Sequence, residues 1–231
     1  MAVGRAVSNR SRRLLAFVAV ALGVVGAVTV TATSPAAERT FSTTSTPAQL
    51  LISVIVPFFG VLLTADLVRE AGAGRVPGPV LRARLLAAVM VAVVAACCGV
   101  VVSAVTVAAY PSTAPGGRWQ HLGAVVLGSV LVQVTAQLCG TGLGLLLRRR
   151  GVAMLGTIVL PLGLWLLLGA VGALRPAQAW LAPAVSAGHL LGGQMTPQNW
   201  AQWVVVILGW GLALNVAGAR WVRGRPGRRV P

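Results

Sequence analysis

Residues 82–109 read RARLLAAVMVAVVAACCGVVVSAVTVAA: two arginines, then 25 consecutive residues without a charge, closed by Tyr110 and Pro111. At about 1.5 Å of rise per residue such a run, wound as a helix, covers the roughly 30 Å of a bilayer's hydrocarbon core. Apolar runs of comparable length lie on either side of it. The spans they predict fall at about 14–33, 48–68, 85–109, 122–147, 151–174 and 201–221. The fold class expected is an all-α membrane protein of six transmembrane helices, forming one domain over residues 1–231 with no separate soluble domain.

The arginines alternate with the spans. One set of segments carries Arg5, Arg10, Arg12 and Arg13, then Arg69, Arg75, Arg82 and Arg84, then Arg148, Arg149 and Arg150, then Arg220, Arg223, Arg225, Arg228 and Arg229. That accounts for 16 of the 19 basic residues, and the other side holds only Arg39, Arg118 and Arg175. By the positive-inside rule both termini are expected in the cytoplasm.

Composition agrees with this reading. The chain is 57% hydrophobic and 10% charged, with a mean hydropathy of +0.86, which excludes disorder and argues against a water-soluble globule. The formal charge of +16 suggests nucleic acid in a soluble protein. Here the basic residues flank spans and lack interleaved aromatics, so anionic lipid is the expected partner and nucleic acid is not. All 19 basic residues are arginine. A phosphate-binding GxxxxGK[ST] loop needs a lysine, so the chain cannot carry that nucleotide site.

The start of the first span, Ser11-Arg12-Arg13-Leu14-Leu15 with Ala36-Ala37 further on, also fits a signal peptide. The apolar run 14–32 is 19 residues, longer than the usual 7–15 of a signal core, so a retained helix is expected. Segment 38–47, rich in Ser and Thr, and segment 110–120, with Pro111, Pro115 and Gly116-Gly117, read as loops. Between the fifth and sixth spans, residues 175–200 are apolar and carry Trp180 and Trp200. Short interfacial helices are expected there, broken at Pro183, Gly188 and Gly192-Gly193.

Inside the spans, polar residues are where function is sought. Gln133, Gln137 and Thr141 recur every four residues and share one helix face. They read either as the lining of a substrate path or as hydrogen bonds between helices. Gly140 and Gly144 form a GxxxG, whose ordinary use is close helix packing. Pro57 and Pro161 should kink their helices. Cys97, Cys98 and Cys139 have no His or carboxylate at ligand spacing, so neither metal, redox chemistry nor a cofactor is expected. No catalytic residues emerge: the acids are only Glu38, Asp66 and Glu70. An intramembrane serine protease built on Gly128-Ser129 would need a histidine within a span, whereas His121 and His189 fall near the outer ends.

Asp66 and Glu70 stand one turn apart where the second span ends, with Arg69, Arg75, Arg82 and Arg84 following. Acids are disfavoured at a helix C-terminus. Either neighbouring arginines answer them locally, or the segment docks a cytoplasmic partner.

Three stretches together carry a resemblance: 64–70 (TADLVRE) with 79–87 (PVLRARLLA); 140–148 (GTGLGLLLR) with Leu160-Pro161-Leu162; and 180–192 (WLAPAVSAGHLLG) followed by Trp200, Trp210 and Arg220. In order and spacing the chain resembles the ABC-2-type permease subunits of ATP-binding-cassette transporters, especially small six-span actinobacterial ones. It departs from their pattern at 71–79, which is short and rich in Gly and Pro, and at Arg84, where the family often has Lys. The resemblance implies a permease subunit of an ATP-driven exporter in the bacterial cytoplasmic membrane, paired with a second permease copy or paralogue and a separate cytoplasmic ATP-binding subunit. On that reading Asp66, Arg69, Glu70, Arg82 and Arg84 contact the ATPase. A membrane-embedded structural or sensory partner without transport is the alternative.

Overall fold

The computed structural model describes residues 10–70, 77–147 and 149–223, the side chains of Asp66, Val68, Arg69, Glu70 and Arg223 lying outside that description. Among the described residues there is no strand. Five long helices come first: α1 (Arg10–Thr33), α2 (Phe41–Glu70), α3 (Gly78–Ala109), α4 (Leu122–Leu146) and α5 (Arg150–Ala170). The short α6 (Arg175–Leu181) and α7 (Pro183–Gly192) follow. The last span is α8 (Pro197–Val206), a π-helical segment (Ile207–Ala213) and α9 (Leu214–Arg223), read as one continuous rod. Six helices are long and apolar enough to cross a membrane, at Arg10–Thr33, Phe41–Ala65, Gly78–Ala109, Leu122–Leu146, Arg150–Ala170 and Pro197–Val222.

Several boundaries differ from expectation, each for a local reason. Segment 38–47 is not a loop throughout. Thr40 accepts from the Thr43 N–H at 3.2 Å, so α2 starts at Phe41 and takes Pro47 inside it. Pro79 in the first turn of α3 is preset for a helix start, so Arg82 and Arg84 sit on the helix rather than before it. Thr196 caps the last span by accepting from the Asn199 N–H at 3.2 Å, which moves its start to Pro197. The fifth span stops early, at Ala170, where Val171 turns extended before a 3-10 turn at Gly172–Leu174.

Helix α4 is the axis of the bundle. It packs most extensively on α2 and also touches α3, α5, α7 and α9. Glycines make this possible, since without a hydrophobic drive in lipid, close backbone approach is what holds helices together. A Cβ at Gly140 would lie 2.7 Å from Pro57 Cα, one at Gly60 2.7 Å from the Gln137 carbonyl, and one at Gly142 2.6 Å from Leu214 Cβ. Gly128 meets the Leu190 carbonyl of α7 in the same way. The GxxxG of α4 is therefore consumed within the chain, against α2. Helix α1 lies on α2, with Gly23 under Ile52 and Gly26 under Leu51, and Thr31 and Thr44 sharing a buried hydrogen bond of 2.8 Å.

The two ends of the bundle differ. At one, Leu67, Leu81, Leu145 and Val222 form a buried cluster, gathering the end of α2, the start of α3 and the ends of α4 and α9. At the other, segments 34–41 and 110–118 are knotted together. Thr113 N–H donates to Ala36 O at 3.0 Å and Phe41 N–H to Arg118 O at 2.8 Å. Arg39 donates to Ser34 O and Pro111 O, its guanidinium 5.7 Å from the Tyr110 ring.

Candidate functional site

The face of α4 that bears Gln133, Gln137 and Thr141 is fully buried, each residue at 0% exposure. Gln133 Nε2 donates to both the backbone and side-chain oxygens of Gln49 on α2, each at 2.9 Å. Gln49 Nε2 passes the chain on to Ala96 O of α3 at 3.1 Å. Gln137, oriented to satisfy both amide atoms, donates to Val56 O and accepts from Gly60 N–H at 3.2 Å. These are the two groups that a regular helix would pair with each other, so the amide meets the α2 ladder at the turn that contains Pro57. Thr141 lies 2.8 Å from Asn215 Oδ1, and Asn215 Nδ2 donates to Leu138 O and Gly211 O, both at 2.7 Å. The three α4 residues thus join α4 to α2 and α9, and through Gln49 to α3.

Gln49 and Asn215 escape the sequence reading although each is visible there as a lone amide, Gln49 at the edge of an apolar run and Asn215 within one. Asn215 lies two residues beyond the π-helical segment, in the first turn of α9. Such segments often mark functional sites, and here the wide turn carries Trp210, whose Nε1 donates to Leu181 O at 2.9 Å.

The acidic and basic residues proposed to meet a partner are only partly visible. Asp66, Arg69 and Glu70 lie in the last turns of α2, their side chains outside the described residues, as is all of 71–76 with Arg75. Arg82 is exposed and Arg84 half-buried on the first turns of α3. The end of the bundle marked by the Leu67, Leu81, Leu145 and Val222 cluster is also the end to which Arg82, Arg84, Arg149, Arg150 and Arg220 belong.

A cavity of about 310 Å³ opens on the flank of the bundle between α2, α4, α5, α7 and the last span. Pro57 and Pro161, the two mid-helix prolines, both line it, with Trp165, Trp203 and Trp210. Gln133, Gln137 and Thr141 do not. Val54, Ile158, Leu162 and Trp165 form its exposed rim, and no charged side chain lines it. Among the described residues no group of three or more His, Cys, Asp or Glu is placed to hold a metal ion.

No protein-family model matches this chain, and no curated protein matches it.

Proposed function

We propose that this chain is the membrane-spanning permease subunit of an ATP-driven transporter, with hydrolysis in a separate cytoplasmic subunit. The observation that carries the reading is the gathering of the arginine-bearing helix ends at one end of the bundle. An end so charged, facing the cytoplasm by the positive-inside rule, presents a surface to anionic lipid and to an acidic partner alike. The resemblance of the α2 exit, the α4 glycine run and the 180–192 segment to ABC-2-type permeases supplies the kind of partner. The lack of any lysine fits a division of labour in which the nucleotide loop belongs to another chain. In this arrangement α6 and α7 lie at the outer membrane interface, both termini are cytoplasmic, and the chain works as an exporter subunit of the bacterial cytoplasmic membrane beside a second permease.

Asp66, Arg69, Glu70, Arg82 and Arg84 then border the contact through which closure of the ATPase is passed to α2 and α3. Movement there would reach α4 directly, because α2 is its most extensive neighbour.

One observation favours the non-transporting alternative. The polar face of α4 is spent on packing and lines no opening, as in a protein built to stay rigid. Purification of the tagged chain in mild detergent, with the ATPase of its own genetic neighbourhood co-expressed, separates the two. Retention of that ATPase and ATP hydrolysis that depends on this chain support the permease; a chain that purifies alone supports the structural partner.

A further inference from the structure

A groove of about 280 Å³ lies on another face of α2, between α1 and α3. Its shape follows from side-chain size. Three helices converge at Ile52 of α2, whose side chain would lie 2.8 Å from a Cβ at Gly23 of α1 and 2.9 Å from one at Gly99 of α3. One turn nearer the arginine-rich end, Ala19 on α1 and Ala95 on α3 are too short to fill the space between the helices, and Ala16 continues it. Val56 and Leu63 of α2 form the floor, and Val20, Met90 and Val94 stand exposed along the opening. The groove is therefore a wedge, shut at Ile52 and open to the side. Its floor from Ile52 to Leu63 is about 17 Å long at 1.5 Å of rise per residue, roughly half of a 30 Å hydrocarbon core.

The wide end meets charge. Arg12, in the first turn of α1 and only 8% exposed, lines the groove. Arg84, half-buried, stands two turns before Val91 and four before Cys98, both in the lining, and so shares their face of α3. The side-chain carboxylates at this end of the bundle are Asp66 and Glu70, against Arg10, Arg12, Arg13, Arg82 and Arg84. Even with both acids paired, the mouth keeps positive charge. A guanidinium carries five N–H donors in a planar fork, so one that is engaged by a neighbour still has donors for a phosphate. An apolar wedge of one leaflet's depth with arginine at its mouth complements one acyl chain below an anionic headgroup. We infer that the groove binds a single anionic phospholipid, its phosphate at Arg12 and Arg84 and one acyl chain laid over Val56 towards Ile52. This is narrower than attraction of the arginine-rich end to an anionic surface: it assigns one lipid to one place, in either orientation of the chain and whether or not an ATPase binds.

The test uses the full chain in phosphatidylcholine nanodiscs and two photoactivatable probes, a phosphatidylglycerol and a phosphatidylcholine with the same diazirine-bearing acyl chain. The phosphatidylglycerol should label α1 and α3 along the groove saturably, and unlabelled phosphatidylglycerol should compete at least tenfold better than phosphatidylcholine. That comparison is made on the unmutated chain, so it stands even where a variant fails to fold. Arg12→Gln should remove most of the preference and Arg12→Lys should retain part of it, whereas Arg13→Gln, at an exposed site of the same end, should leave it unchanged. Ala16→Phe, which fills the wedge, should abolish the labelling, and Val25→Phe on the exposed face of α1 should not. Equal competition by the two lipids would overturn the assignment, as would labelling indifferent to both Arg12→Gln and Ala16→Phe in variants that retain their helix content. Equal loss in Arg13→Gln and Arg12→Gln would reduce the effect to surface charge and overturn it too. So would displacement of the probe by glycerol phosphate, which would mean a free-anion site with no chain in the groove. Disulfide-linked dimers through Met90→Cys with no adduct, in a background where the native cysteines are serine, would give the opening to a second copy instead.

Discussion

Gln133 on α4 donates both to the backbone and to the side-chain oxygen of Gln49 on α2, and Gln49 in turn donates to Ala96 on α3. Three spans are thereby joined by two amides at the middle of an apolar bundle. Hydrogen bonds between membrane helices are worth about 0.6 kcal/mol on average and about 1.7 at most. A double-mutant cycle of Gln49→Leu and Gln133→Leu, read by reversible unfolding in mixed micelles, should give a coupling of about 0.6–1.7 kcal/mol. A coupling indistinguishable from zero would mean that the amides are placed together without holding the helices.

Close approach at Gly140 should be harder to disturb. Its added Cβ would meet the backbone of Pro57, which cannot swing aside as a side chain can. Gly140→Ala is expected to cost about 1–3 kcal/mol, the range of core overpacking. Gly163 on α5 has open space around it, so Gly163→Ala should be neutral or stabilise by up to about 1 kcal/mol through helix propensity. Thermal unfolding of the two variants side by side checks both signs.

These two sites show what the sequence makes legible. Span number and the grouping of arginines are carried by composition along the chain, since lipid rewards apolar length and the inner leaflet rewards positive charge wherever they occur. The polar period of Gln133, Gln137 and Thr141 was readable for the same reason. Their partners were not, because Gln49 and Asn215 come into register only when α2 and α9 pack on α4. The sequence starts the second span at Ala48 after a loop ending at Pro47, whereas α2 starts at Phe41, where the Thr40 cap prevails over the loop-like composition. The cavity has no linear trace: Pro57, Pro161, Ser186 and Trp203 converge on it from four separate segments.

Orientation is tested by single cysteines in a background where Cys97, Cys98 and Cys139 are replaced by Ser. Thr113 and Gln198 are exposed at the end expected outside, and Ala83 is exposed at the arginine-rich end. An impermeant thiol reagent added to intact cells should modify Thr113→Cys and Gln198→Cys, and modify Ala83→Cys only after the membrane is opened. The reverse pattern would invert the topology.

Retention of the first span is expected from its packing, since Gly23, Gly26 and Ala27 are buried and Thr31 is bonded to Thr44. Intact-mass and terminal-peptide mass spectrometry of the purified protein should find Arg12 and Arg13 present. A mature end at Ala36, Ala37 or Glu38 would identify a cleaved leader and leave five spans.

The most direct measurement is ATP hydrolysis, and ATPase retained, by the tagged chain and its Glu70→Gln, Glu70→Ala and Arg82→Ala variants, purified with the co-expressed ATPase at matched membrane copy number. Loss of one member of a desolvated charge pair typically costs about 2–5 kcal/mol, against about 0–1 for an exposed pair. The permease reading predicts that the parent retains the ATPase and stimulates its hydrolysis, and that the Glu70 variants insert normally but lose most of both. A parent chain that inserts and folds yet holds no ATPase and changes no hydrolysis would contradict it.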